Sequence, residues 1–332
     1  MKKIPILIMR PEGEHSSPVD QTFAAKLAAG ADIAVEEQLF DRERPADLEK
    51  KLAGWRGRIA GVVGAMRAPE SQRLGEVAEE IGALCFVANN NPSVWQKRRH
   101  VFHIGFPWVQ TATAVAAELA LATNRRRYLL LHDQTSFQSR VAANMETSLA
   151  AYGLDVKSIP YTADVPLDFE GSWKPEVIYV IFSSERKAGE IVRTLNDRAP
   201  EIPLVIGRSL LRDSFLSSLR DRTGEFWFVD TDFRRGRVQT QSQQQFMRVM
   251  HENGAAVPTT NHAFGWDCMK FCALALRTAD GNPQRAVDYL ETGVTLEGAS
   301  GTCTFGPDNH NGRLGTGPTI LSRWGNGRFE DA

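Results

Sequence analysis

Cysteine is scarce in this 332-residue chain, with four at Cys85, Cys268, Cys272 and Cys303. They form no CxxC pair and have no nearby cluster of histidine or cysteine, so a zinc site is not expected and no metal is assigned. Cys268 and Cys272 stand one helical turn apart, poor geometry for a disulfide within a helix. The four therefore read as small buried hydrophobes, and the redox compartment stays open. Long apolar runs are missing as well, and no stretch reaches the length of a membrane span. The opening MKKIPILIM starts with charge, but its apolar run is short for a signal peptide and contains Pro5. It reads as a first strand, Ile4–Met9. Two expectations follow: a cytoplasmic protein, or one whose leader was removed and replaced by an initiator Met.

Net charge is also close to absent, at −1, which gives no overall field for nucleic acid or an anionic membrane. The run Arg125–Arg126–Arg127 falls between a helix and a strand and reads as a solvated loop. No GxGxxG or GxxxxGK[ST] occurs, so no nucleotide cofactor is expected. The glycines of GRLGTG, Gly312–Gly317, open a β run and read as a turn. GxSxG and HExxH are missing too, and the seven histidines show no metal-binding spacing. Asp133 beside His132 reads as a turn and helix cap, the common role of aspartate there. No catalytic residue is assigned, and the chain is not read as an enzyme.

What remains is a chain of ordinary globular composition, 42% hydrophobic and 24% charged, long enough for two domains. Strands alternate with helices of about ten residues, the signature of right-handed βαβ units and a parallel sheet. One series runs through strands Ile4–Met9, Ile33–Gln38, Ile59–Val63, Cys85–Val87 and Val101–Ile104. The pattern restarts at Trp108. A second series has strands at Tyr128–Leu131, Val177–Ile181, Leu204–Gly207 and Phe226–Val229, with a long loop at Tyr161–Trp173. Helices at Val238–Glu252, Ala263–Thr278 and Pro283–Thr292 follow, then short β runs at Gly301–Phe305 and Thr319–Trp324. The most informative stretch is YLLLHDQTSFQSR, Tyr128–Arg140: a buried strand, a polar turn, and a helix start carrying an aromatic, Phe137. Ligands sit at such carboxyl ends of parallel strands, against helix N-termini. The corresponding loops are Ala65–Pro69, Ala88–Asn91, Asp133–Phe137, Phe182–Glu185 and Arg208–Ser209. They offer hydroxyls, amides and two arginines, with no general base or nucleophile.

Several stretches together resemble a known family. They are VFHIGFPWVQTATAVAAELA (Val101–Ala120), LLLHDQTSFQSRVAANMETSLAAYG (Leu129–Gly153), FGWDCMKFCALAL (Phe264–Leu276) and LEGASGTCTFGPDNH (Leu296–His310). The sequence resembles the type I periplasmic binding proteins, specifically the branched-chain amino-acid (Leu/Ile/Val)-type substrate-binding components of ABC transporters. The last stretch is similar to that family's F-x-G-x-x-G-x-x-x-F-D-x-x-G passage, whereas its N-x-x-G-G-I-N-G stretch is missing here. The resemblance implies an α/β fold of two doubly wound parallel-sheet lobes joined by three crossovers and closing on ligand by hinge motion. Lobe 1 would hold residues 1–107 and 235–298, and lobe 2 residues 108–234 and 299–332. The crossovers would fall near Phe106–Trp108, Thr231–Arg235 and Leu296–Thr304.

The same resemblance implies ligand contacts at Arg67, Ala68, Ala88, Asn89, Asn90, Trp108, Phe137, Ser183, Ser184, Arg208 and Ser209. Arg67–Ala68 stands where the family has a carboxylate-binding serine, and Asn89–Asn90 where it has Ala–Thr. Phe137 matches the aromatic that covers the ligand. A second family aromatic aligns near Ser183–Ser184, and the acid that holds the amino group aligns near Ser209. Losing that acid beside two arginines points away from a zwitterionic amino acid and toward a small carboxylate or amide, because guanidinium pairs bidentately with such anions. The implied partners are this small-molecule ligand and an ABC permease, without nucleic acid or membrane insertion. The alternative is a cytoplasmic ligand sensor of the same fold that regulates gene expression.

Overall fold

The computed structural model describes residues 3–13, 16–64, 68–88, 92–106, 108–162, 173–182, 185–207, 213–220, 222–231, 240–255, 258–313, 319–325 and 328–330. In chain order the first half comprises β1 (Ile4–Pro11), α1 (Ser16–Ala28), β2 (Ile33–Phe40), α2 (Pro45–Ala53), β3 (Gly61–Gly64), α3 (Ala68–Ile81), β4 (Leu84–Val87), β5 (Val101–His103), α4 (Trp108–Thr123), β6 (Arg127–His132), α5 (Ser136–Ala151) and β7 (Asp155–Pro160). There follow β8 (Val177–Ile181), α6 (Glu185–Arg198), β9 (Leu204–Ile206), α7 (Asp213–Ser217), β10 (Phe226–Thr231), α8 (Gln241–Glu252), α9 (Thr260–Thr278), α10 (Pro283–Glu291), β11 (Thr295–Gly298), β12 (Gly301–Thr304), β13 (Thr319–Gly325) and β14 (Arg328–Glu330).

The chain divides into two compact units. Unit 1 is Met1–Pro107 with Gly236–Gly317, and unit 2 is Trp108–Arg235 with Pro318–Ala332. Unit 1 carries a parallel sheet ordered β2-β1-β3-β4-β5. Apart from the edge strand β2, its strands β1, β3, β4 and β5 are buried on both faces, so successive residues feed two different cores. Ile6, Ile8, Val63, Leu84, Phe86 and Phe102 pack against α1, α9 and α10. Leu7, Met9, Val62, Cys85, Val87 and Val101 pack on the other face against α2 and α3. Close approach on the first side depends on Gly265 of α9, where a Cβ would fall 1.9 Å from the Gln21 carbonyl oxygen of α1.

Unit 2 repeats the arrangement. Its strands run β7-β6-β8-β9-β10 in parallel, and β13 and β14 then extend the sheet antiparallel beyond β10. Leu129, Leu131, Ile178, Val180, Leu204 and Ile206 join the α6 and α7 core, while Tyr128, Leu130, Val177, Tyr179 and Val205 join the α4 and α5 core. Of the three arginines at the α4–β6 junction, two form ion pairs, and Arg126 donates its backbone N–H to Glu176 at 2.7 Å. Arg125 meets Glu225 at 3.0 Å, and Arg127 meets Glu176 at 2.8 Å.

Three expectations change. Asp155–Pro160, unassigned from the sequence, is an edge strand of unit 2. Residues 299–317, expected in lobe 2, belong to unit 1, because Cys303 and Phe305 insert among Phe86, Phe102 and Leu296. The stretch expected to carry the third crossover, Leu296–Thr304, is a β11–β12 hairpin within unit 1, and the chain passes to unit 2 between Gly317 and Pro318.

Candidate functional site

Both sheets have the strand order 2-1-3-4-5 when each is numbered from its own first strand. In such a sheet the winding reverses between the first and third strands, and crossovers leave on opposite faces there. The carboxyl ends of that strand pair leave a crevice open to small molecules. The crevice lies at β1/β3 in unit 1 and at β6/β8 in unit 2.

In unit 2 the turn after β6 is closed by local hydrogen bonds. Asp133 accepts from Thr135 N at 3.1 Å and from Thr135 Oγ1 at 2.6 Å. Thr135 caps α5, its hydroxyl oxygen accepting from Gln138 N at 3.4 Å. His132 Nδ1 donates to the Asp133 carbonyl at 2.7 Å. Both residues serve the turn. Beside it, Phe182 follows β8 and meets Tyr161 edge-on at 6.2 Å.

Among the expected ligand residues, Ala88 is described in full. It is half-buried just past β4 and packs on the core of unit 1. Ala68, Trp108 and Phe137 are backbone members of the first turns of α3, α4 and α5, and their side chains lie outside the described residues. Arg67, Asn89, Asn90, Ser183, Ser184, Arg208 and Ser209 also lie outside the described residues. In chain order Arg67 follows β3, and Ser183–Ser184 follow β8, the two third strands. Asn89–Asn90 follow β4 and Arg208–Ser209 follow β9, each one strand further from the reversal.

One polar cluster escaped the sequence reading. Asp267, in the apolar run of α9, is wholly buried and accepts from Ala299 N at 2.7 Å, from Ser300 N at 2.8 Å and from the Ser300 hydroxyl. Burial pushes its carboxyl above the usual range, opposed by the Arg313 guanidinium and these donors. Arg313, 3% exposed, donates from Nε to the Ile104 carbonyl and from Nη1 to the Ser300 carbonyl, both at 2.5 Å. Its guanidinium lies 4.5 Å over the Phe106 ring. A single acid inside an otherwise apolar helix face was the available signal.

The four cysteines are free, and burial raises every thiol, so none is a ready nucleophile. Among the described residues no group of His, Cys, Asp or Glu can hold a metal ion, and no helix is long and apolar enough to cross a membrane. A recess of about 390 Å³ lies between α2 and the edge strand β2, among Gln38, Lys50, Lys51, Trp55 and Arg58. It is an open surface groove whose Lys51 is paired with Asp47 at 2.7 Å and whose Arg58 lies over Trp55.

Two doubly wound sheets of the same order, with antiparallel strands from the chain's end added to the second, define the type I periplasmic binding protein fold. Solved structures of that fold match the whole chain. The leucine binding protein LivK from Thermotoga maritima is 17% identical, with 99% of this chain and 98% of that one aligned at a TM-score of 0.77. The branched-chain amino acid transporter substrate binding protein LivJ from Streptococcus pneumoniae, solved with isoleucine, is 16% identical over 99% and 98% of the chains, also at 0.77. An extracellular ligand-binding receptor from Rhodopseudomonas palustris HaA2 is 15% identical over 99% of both, at 0.77. At these identities the likeness is one of fold. No protein-family model matches the sequence, and no curated protein matches it either.

Proposed function

We propose that this chain is a solute-binding protein that captures a small organic ligand and hands it to an ABC permease in the periplasm, with the two units closing on the ligand. The observation that supports this most is the repeated strand order, which gives each unit its own crevice at a winding reversal. The ligand contacts in this reading are those that the family resemblance implies: Arg67, Ala68, Ala88, Asn89, Asn90, Trp108, Phe137, Ser183, Ser184, Arg208 and Ser209. Binding without chemistry fits a turn whose His132 and Asp133 are spent on local hydrogen bonds. The ligand is a carboxylate or an amide, not a standard branched-chain amino acid, because Arg67–Ala68 aligns with the family's serine and Ser209, beside Arg208, with its acid. A second reading, a cytoplasmic sensor of the same fold, is favoured by one observation: all four cysteines are free thiols.

Titration calorimetry with leucine, valine, aliphatic and aromatic carboxylates and their amides tests the ligand class. Heat from the acids or amides and none from leucine is expected; tight leucine binding overturns it. Fractionation of cells expressing the native gene separates the two readings, since a sensor stays with the cytoplasm.

A further inference from the structure

Three stretches of unit 1 border its connections to unit 2. The chain leaves through Ile104–Phe106, re-enters ahead of α8, and leaves again after Arg313. Two of them bond directly to one short turn, Glu297–Ser300, at the tip of the β11–β12 hairpin, and the first is linked to it through Arg313. At the α8 end, Ser242 N donates to Glu297 Oε1 at 3.3 Å and Ser242 Oγ to the Glu297 carbonyl at 3.0 Å. Gln243 Nε2 adds a bond to the Ala299 carbonyl at 3.4 Å. At the other exit, Arg313 grips both the carbonyl and the hydroxyl of Ser300. The same guanidinium reaches across to the Ile104 carbonyl and lies over Phe106, joining the first exit to the last. Asp267 holds the turn from beneath, and Gly298 leaves it room: a Cβ there would fall 2.4 Å from the carboxylate.

We propose that the Glu297–Ser300 turn is the anchor that sets the direction in which all three connections leave unit 1, with Arg313 as its positioning residue. This rests on the proposed closure of two units on a ligand. A planar fork is needed, since one side chain must serve Ile104 and both acceptors of Ser300 while lying flat on a ring. A lysine ammonium supplies the charge but not that geometry. A purely local role in the stability of unit 1 would be indifferent to where the three bonds lead.

The test uses two spin labels, at K50C on unit 1 and L121C on unit 2, both exposed positions in a chain whose own thiols are buried. Distance distributions are recorded by pulsed electron resonance without added ligand. Arg313→Lys is expected to broaden the distribution about twofold relative to the labelled parent. Tyr128→Phe, which deletes a buried bond to the Ala116 carbonyl inside unit 2, lowers stability and leaves the width unchanged. An Arg313→Lys protein that is less stable but superposes on the parent distribution overturns the proposal. If Arg313→Lys does not fold, Ser300→Ala and Gln243→Ala, each removing part of the anchor, must show the broadening instead. Adding the carboxylate and amide panel then reads closure separately: a mean distance that no solute shifts counts against the binding reading, while the width still decides the anchor.

Discussion

His103 at the end of β5 donates from Nδ1 to Asn311 Oδ1 at 2.9 Å, and its Nε2 accepts from Gly105 N at 3.2 Å. One nitrogen must carry the hydrogen and the other must not, so the geometry requires a neutral ring of a single tautomer. The imidazole is 1% exposed and stacks on Trp95 at 4.0 Å. Burial drives its pKa from 6.5 down to about 3, with the Arg313 charge adding to the effect and the Asn311 bond opposing it. Because the folded pKa is depressed, the unfolded chain binds the extra proton between these values. The stability His103 contributes is present above pH 6.5 and is lost as pH falls toward 3. Denaturant titrations from pH 4.5 to 7.5 on the parent and on His103→Asn, which keeps a donor toward Asn311, check this. The difference in unfolding free energy should shrink by about 1.4 kcal/mol per pH unit below 6.5 and stay flat above it.

The approach of α1 to α9 gives a second prediction. Gly265→Ala places a methyl 1.9 Å from a backbone oxygen that has no rotamer to escape into, so the helices must part. A loss of about 2–3 kcal/mol is expected from such overpacking. Gly189 of α6 is the contrast: an added Cβ meets nothing nearer than the Phe215 ring at 3.5 Å, an ordinary contact. Gly189→Ala should stabilise by up to about 1 kcal/mol through helix propensity. Urea midpoints followed by circular dichroism should move in opposite directions.

Both sheets were legible because their strands are short apolar runs between polar turns, and alternate residues feed two cores. The edge strand β7 was not, since DVKSIP is nowhere fully buried and carries no apolar run. The helix starts at Thr240 and Thr259 were marked in the sequence by capping boxes, one closed by Gln243 and the other by His262. The usual box ends in Glu or Gln, and the reading by apolar pattern passed over both, setting the starts at Val238 and Ala263. The Asp267–Ser300–Arg313 cluster joins residues far apart in sequence through a hairpin, and no spacing rule encodes it. The proposed ligand loops were chosen by their place after strands, which says little about what they bind.

Thr135 carries a smaller, local prediction. Its hydroxyl caps α5 and bonds Asp133, so Thr135→Ala removes both interactions, and Thr135→Ser keeps them. The alanine variant should lose about 1 kcal/mol and the serine variant little. Equilibrium unfolding distinguishes the two. A cost for serine equal to that for alanine would assign the effect to the methyl group.

The last prediction concerns the charge of the proposed ligand. If Arg67 and Arg208 pair with a carboxylate in the proposed pocket, replacing either by glutamine removes a charge-assisted bond of about 1.5–3 kcal/mol. Affinity for the acid should then fall about tenfold or more. The matching amide has no charge to lose, so its affinity should change far less, and the preference between the two solutes should narrow or invert. Calorimetry on the acid and amide pair, with parent and both variants, measures this directly. Equal losses for acid and amide would mean that the arginines shape the pocket without reading charge. No loss for either would place both side chains away from the ligand and remove the argument against an amino acid.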